Sequence, residues 1–162
     1  SYSMAGCRVG FAAGNKKLIE ALRKIKSYLD YGSFMPLQLA TIAAMSEKTD
    51  KYLEDTRKTY YRRAIFLQKE LKNRLNWQVD LPKATMFIWA KIPSSHSHLG
   101  SLEFSKQLLS DALVAVSPGV GFGSYGEGYV RFSLIENEHR SRQAIRNIKK
   151  FLANSSNIQA IR

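Results

Sequence analysis

One stretch limits the possible folds of this sequence more than any other. From Asp50 to about Asn76 the residues Leu53, Tyr60, Leu67, Leu71 and Leu75 keep to one face of a helix. At 1.5 Å per residue such a helix spans about 35 to 40 Å, too long for a small compact domain. It is expected to run from one domain into another, with the boundary inside it. A chain of 162 residues suits that arrangement, since it holds one domain, or one domain and a piece of a second, and can bury roughly 70% of its unfolded surface.

Either side of that helix the periodicity changes. Cys7, Val9 and Phe11 alternate with Arg8 and read as a short strand that ends at Gly14-Asn15. Asn15 is placed to cap a helix whose stripe is Leu18, Leu22, Ile25 and Leu29. Tyr28 to Met35 reads as a loop, and Pro36 suits the first turn of a nearly apolar helix through Leu39, Ile42 and Met45, expected to be buried on most sides. Beyond the long helix, Ala84 to Ile92 is strand-like and bounded by Pro82 and Pro93. Ser101 is expected to cap a helix through Leu102, Leu108 and Leu109, and Leu113 to Val116 to form a second strand. In the third strand, Tyr129 to Ile135, Val130, Phe132 and Leu134 face one way and Arg131 the other. Ala144, Ile145, Ile148, Phe151 and Leu152 give a last amphipathic helix from Glu138, with a frayed tail beyond Ala153. The order predicts an α/β (α+β) fold in which a small sheet carries helices on one face.

The net charge is +12, from 25 basic and 13 acidic residues, which raises nucleic acid as a partner. The basic residues are spread over the solvated faces of several helices, without an aromatic ladder, zinc spacing or helix-turn-helix pattern, so no nucleic acid partner is expected. No run of about 18 apolar residues and no secretory leader is present, which predicts neither a membrane span nor export. Cys7 is the only cysteine and cannot form an intrachain disulfide, so a reduced, cytoplasmic setting is expected.

The opening SYSMAGCRVGF resembles the segment that follows the cofactor lysine in class I and II (fold type I) pyridoxal-phosphate-dependent aminotransferases. The resemblance continues in order through Tyr28–Leu39 (YLDYGSFMPLQL), Pro82–Ala90 (PKATMFIWA), Ser101–Ser105 (SLEFS) and Val116–Glu138 (VSPGVGFGSYGEGYVRFSLIENE). It implies the C-terminal portion of such an enzyme: residues 1–50 as the end of the large cofactor-binding domain, 51–76 as the interdomain helix, and 77–162 as a small domain with a three-stranded, mainly antiparallel sheet. Ser1 falls on the position directly after the lysine, so no catalytic residue is expected within the chain, and the isolated chain is expected to be inactive. Arg8 falls where the family binds the cofactor phosphate, a task that suits a rigid guanidinium with paired donors. Arg131, in the VRFSL strand, falls where the family binds the α-carboxylate of the amino acid.

The same resemblance implies pyridoxal 5'-phosphate as the cofactor of the intact protein, amino acid and 2-oxo acid substrates, and a homodimer in which the loop around Tyr31, Gly32 and Ser33 reaches the partner's site. The resemblance also implies that the glycine-rich loop from Gly119 to Gly128 is a substrate-side loop that moves as the small domain closes, with Phe122 and Tyr125 expected to shape the side-chain pocket. Tyr28 to Met35 lacks the arginine of dicarboxylate-specific relatives, which disfavours a dedicated aspartate enzyme. Cys7 stands where the family often has tryptophan. Another reaction on the same scaffold, such as carbon-sulfur lysis or a decarboxylating synthesis, is the alternative, and a basic nucleic-acid-binding module a more distant one. His96 and His98 lack further ligands at metal spacing, so no metal is expected and the pair reads as a surface loop.

Overall fold

The computed structural model describes residues 2–159, with side chains through 154. Contacts divide the chain at Arg57/Lys58 into two compact units, which are described one at a time. The first opens with a 3-10 turn, Ala5–Cys7, followed by helices α1 (Lys16–Leu29) and α2 (Met35–Ala44) and a second 3-10 turn, Glu47–Thr49. Asn15 caps α1 as its sequence suggests, its side chain accepting from the Lys17 N–H at 2.9 Å. Pro36 sits in the first turn of α2.

Two expectations fail in this unit. The strand expected from Cys7 to Ala13 does not form: Cys7 belongs to the 3-10 turn, Arg8 takes a left-handed conformation (φ 55°) that ends it, and no strand lies beside the segment among the described residues of the unit. A strand without a neighbour has no partner for its backbone groups. α2 is also not buried, and Leu39, Ile42 and Met45 are all more than half exposed. An apolar helix is covered only where a second layer lies on it, and the described residues of this unit form no sheet to supply one.

The long helix is present as α3 (Asp50–Leu75), 26 residues or about 39 Å, and the division between units falls within it. It ends where Asn76 turns left-handed (φ 52°) and the Trp77 N–H reaches back to the Leu71 carbonyl at 3.1 Å. In the second unit follow β1 (Phe87–Lys91), a 3-10 helix (Ser94–Leu99), α4 (Gly100–Ala112), β2 (Ser117–Pro118), the glycine-rich loop, β3 (Tyr129–Ser133) and α5 (Glu138–Gln159). The three strands form an antiparallel sheet in the order β1-β3-β2. α5 continues past Ala153, where a frayed tail was expected, and residues 160–162 lie outside the described residues.

One face of the sheet carries the core. Ile88 and Ala90 of β1 and Val130 and Phe132 of β3 pack with Leu67 and Leu71 of α3, Phe104 and Leu108 of α4, and Ile145 and Ile148 of α5. Trp77 sits among them, edge-on to Phe104 and Phe132, with its ring N–H donating to the Lys91 carbonyl at 2.7 Å. The expected second strand is displaced from Leu113–Val116 to Ser117–Pro118. Leu113 instead closes α4 in a left-handed conformation (φ 55°) while the Val114 N–H bonds the Leu108 carbonyl at 3.0 Å, so the chain is still leaving the helix there.

Candidate functional site

The alternation that buries Ile88, Ala90, Val130 and Phe132 turns Phe87, Trp89 and Lys91 of β1, with Tyr129 and Arg131 of β3, to the opposite face. Because β3 is the central strand, Arg131 lies opposite Trp89 on one side and Ser117 on the other. A groove of about 700 Å³ opens over this face, with Arg131, Phe87, Trp89, Tyr129, Gln78 and Asp80 among its lining. Arg131 therefore meets a cleft, as its place opposite the core residues predicts.

The environment of Arg131 is unusual for a half-buried cation. Its guanidinium carbon lies 3.9 Å from the centre of the Phe87 ring and 4.2 Å from the centre of the Phe122 ring. One terminal nitrogen donates to Ser117 Oγ at 3.4 Å. Among the described residues no carboxylate forms an ion pair with it. Aromatic faces hold a cation through their quadrupoles without using its hydrogen-bond donors. Most of the in-plane N–H groups of Arg131 stay available, the geometry that a planar, two-oxygen anion such as a carboxylate matches.

Phe122 comes from the glycine-rich loop, which is fixed at its base. A Cβ added at Gly126 would lie 2.0 Å from the Gly119 carbonyl oxygen, and one at Gly119 would lie 2.0 Å from the Gly126 oxygen, so only two glycines permit this approach. The Glu127 carboxylate accepts from the Ser101 N–H at 2.6 Å, the Ser101 hydroxyl at 3.0 Å and the Gly128 N–H at 2.8 Å, and the Val120 N–H donates to Ser101 Oγ at 3.2 Å. These bonds hold the Glu127 carboxyl below its ordinary pKa, the Ser101 backbone N–H contributing most. Ser101 is thus not the cap of α4. Glu127 caps the helix from the loop, where a negative charge also meets the helix dipole favourably. Tyr125, next to Gly126, is fully exposed, and the structure brings Phe122 rather than Tyr125 onto Arg131.

In the first unit Arg8 is exposed, with one guanidinium nitrogen 3.4 Å from the Ala5 carbonyl and no carboxylate ion-paired to it among the described residues. Ser33 is exposed beside the left-handed Tyr31 and Gly32, and its carbonyl accepts from the Gln38 side chain at 2.8 Å. The His-Ser-His pair is not a surface loop. It lies in the 3-10 helix, and His96 is 2% exposed against the rings of Phe104 and Phe151. Its Nδ1 pairs with Ser95 Oγ at 2.8 Å while Nε2 has no partner. Burial, with a smaller contribution from His98, lowers its pKa. Among the described residues no group of three or more His, Cys, Asp or Glu side chains is arranged to hold a metal, and no helix is long and apolar enough to cross a membrane.

Sequence reasoning placed Arg131 on the face away from the core, where the structure has it, and nominated Phe122, whose ring lies against its guanidinium. It missed Phe87 and Trp89 as groove residues, although the alternation in Ala84–Ile92 places both opposite Ile88 and Ala90. Glu127 left no periodic signal, because it caps a helix 26 positions away in the chain.

The family model for aminotransferase class I and II matches residues 1–148. The chain is 55% identical over 149 residues to the glutamate-pyruvate aminotransferase AlaC of Escherichia coli, a match covering 92% of this chain and 36% of that protein. It is 38% identical to the LL-diaminopimelate aminotransferase of Moorella thermoacetica, covering 93% of this chain and 37% of the relative. The crystal structure of an aromatic aminotransferase from Pyrococcus horikoshii superimposes with a TM-score of 0.84 at 32% identity, over 95% of this chain and 41% of that one. The chain therefore spans less than two fifths of the length of the two curated relatives from Escherichia coli and Moorella thermoacetica.

Proposed function

The chain belongs to the class I and II aminotransferases, and on that premise we propose that it is the C-terminal part of an enzyme that moves an amino group from an α-amino acid to a 2-oxo acid using pyridoxal phosphate. The observation that carries the reading is the guanidinium of Arg131, held between two aromatic rings over an open groove with no carboxylate partner among the described residues. In this reading its in-plane donors bind the α-carboxylate of the amino acid and so orient the α-carbon for proton transfer.

Arg8 fits the phosphate of the cofactor, since its guanidinium is exposed and pairs with no carboxylate among the described residues. When bound, pyridoxal phosphate supplies the electron sink that the chemistry at the α-carbon needs. Residues 1–50 are assigned to the large domain, 51–76 to the interdomain helix and 77–162 to the small domain. Ser33 and Tyr125 are assigned to the substrate side, Ser33 on a loop extended toward the second subunit of a cytoplasmic homodimer. A donor other than aspartate is favoured by the lack of arginine in Tyr28–Met35.

Two variants of the intact enzyme test the assignment. Arg131→Ala is expected to weaken amino-acid binding by about 10- to 150-fold, the equivalent of one charge-assisted hydrogen bond of roughly 1.5–3 kcal/mol, and to leave cofactor content unchanged. Arg8→Ala is expected to lower cofactor content on dialysis. Equal cofactor retention and equal substrate affinity in both variants would contradict it.

A further inference from the structure

The rings around Arg131 form a continuous chain of contacts. Tyr129 lies on Trp89 with centroids 5.7 Å apart and an interplanar angle of 18°, Trp89 meets Phe122 at 5.7 Å and 73°, and the guanidinium lies between Phe122 and Phe87. Tyr129, Trp89, Arg131 and Phe87 all belong to the sheet, whose register fixes them. Phe122 is the one member brought in from a loop. It is half exposed, so burial of its own surface does not account for its position. What places it is the backbone contact between Gly119 and Gly126, together with the Glu127 carboxylate bound to Ser101 and Gly128.

We propose that Phe122 is a positioning residue for Arg131: the loop clasp presses its ring onto the open face of the guanidinium, which confines the group to one plane and leaves its edge for a carboxylate. This rests on Arg131 being the carboxylate-binding residue. A guanidinium with one free face tilts out of plane, takes water on that face and must be reoriented when an anion arrives, whereas one held between two rings loses little freedom on binding. Aromatic faces suit the task because they attract the cation without donating an anion that would compete with the ligand. An acidic side chain in the same place would hold Arg131 equally well and occupy its donors.

The test compares Phe122→Leu, which keeps apolar bulk but has no ring face, Phe122→Tyr, which keeps the face, and Arg131→Lys in the full-length enzyme. The probes are propionate, which carries a carboxylate and no amino group to react, and propionamide, which matches it without the charge. Both are titrated by ligand-observed NMR. Phe122→Leu is expected to weaken propionate about five- to tenfold, leave propionamide within twofold, and regain wild-type binding in Phe122→Tyr. If Phe122→Leu binds propionate as the wild type does while Arg131→Lys does not, the clamp is wrong and the role of Arg131 stands. Equal weakening of both probes in Phe122→Leu would reduce Phe122 to general packing and overturn the proposal. An Arg131→Lys variant that binds propionate as the wild type does would remove the carboxylate assignment and the clamp with it.

Discussion

Replacing Gly126 by alanine tests the loop clasp directly, and a second glycine of the same loop supplies the control. At Gly126 the new methyl group would stand 2.0 Å from the Gly119 carbonyl oxygen and 2.5 Å from its carbon, so the two backbone segments must separate by at least about 1 Å before the contact reaches even 3.0 Å. Both partners are backbone and neither can rotate aside. Overpacking of this kind costs about 1–3 kcal/mol, and the lack of a flexible neighbour places this case at the upper end, about 3 kcal/mol. For a domain of about 100 residues that lowers the unfolding midpoint by ~10–20 °C. Gly121 has open space around it and lies outside the left-handed region, so Gly121→Ala should change stability by less than about 0.5 kcal/mol. Trp77 and Trp89 are the two tryptophans and both lie in the second unit, so thermal unfolding followed by their fluorescence reports on that unit alone. A Gly126→Ala protein that melts within 2 °C of Gly121→Ala would refute the claim that the close approach holds the loop.

Three further outcomes are expected. His96 is buried with its pKa lowered, so the unfolded chain takes up the proton more readily. The wild-type midpoint should hold steady above the ordinary histidine value of 6.5 and fall as pH drops below it, and His96→Gln should flatten that part of a melting profile measured from pH 7.5 to 5.5. Glu127 has a lowered pKa, so the stability it lends the loop is present above 4.5 and lost as pH falls through its folded value; Trp89 fluorescence should show this acid transition in the wild type and lose it in Glu127→Gln. Trp77→Phe removes the donor to the Lys91 carbonyl and should lower stability by about 1–3 kcal/mol in denaturant unfolding followed by circular dichroism.

The elements that sequence reasoning found are those whose signal is local. The stripe from Leu53 to Leu75, the cap at Asn15 and the alternation around Arg131 each depend on residues a few positions apart, and each appears in the structure. The errors share a different cause. The strand expected from Cys7 to Ala13 needed a neighbouring strand, and the burial expected for α2 needed a covering layer; periodicity announces a face but not what lies on it. His96 was misread for the same reason, because the rings of Phe104 and Phe151 that enclose it come from two other helices. The site divides along this line as well. That Arg131 faces away from the core is a property of one strand, so the sequence was sufficient for it. That its guanidinium sits between Phe87 and Phe122 depends on the register of β1 against β3 and on a contact between Gly119 and Gly126, neither of which leaves a periodic trace. An alternating strand can therefore nominate a residue for binding, but the orientation of its charged group is decided by the neighbours that tertiary structure brings, and it is at those neighbours, Phe122 above all, that substitution should separate binding from folding.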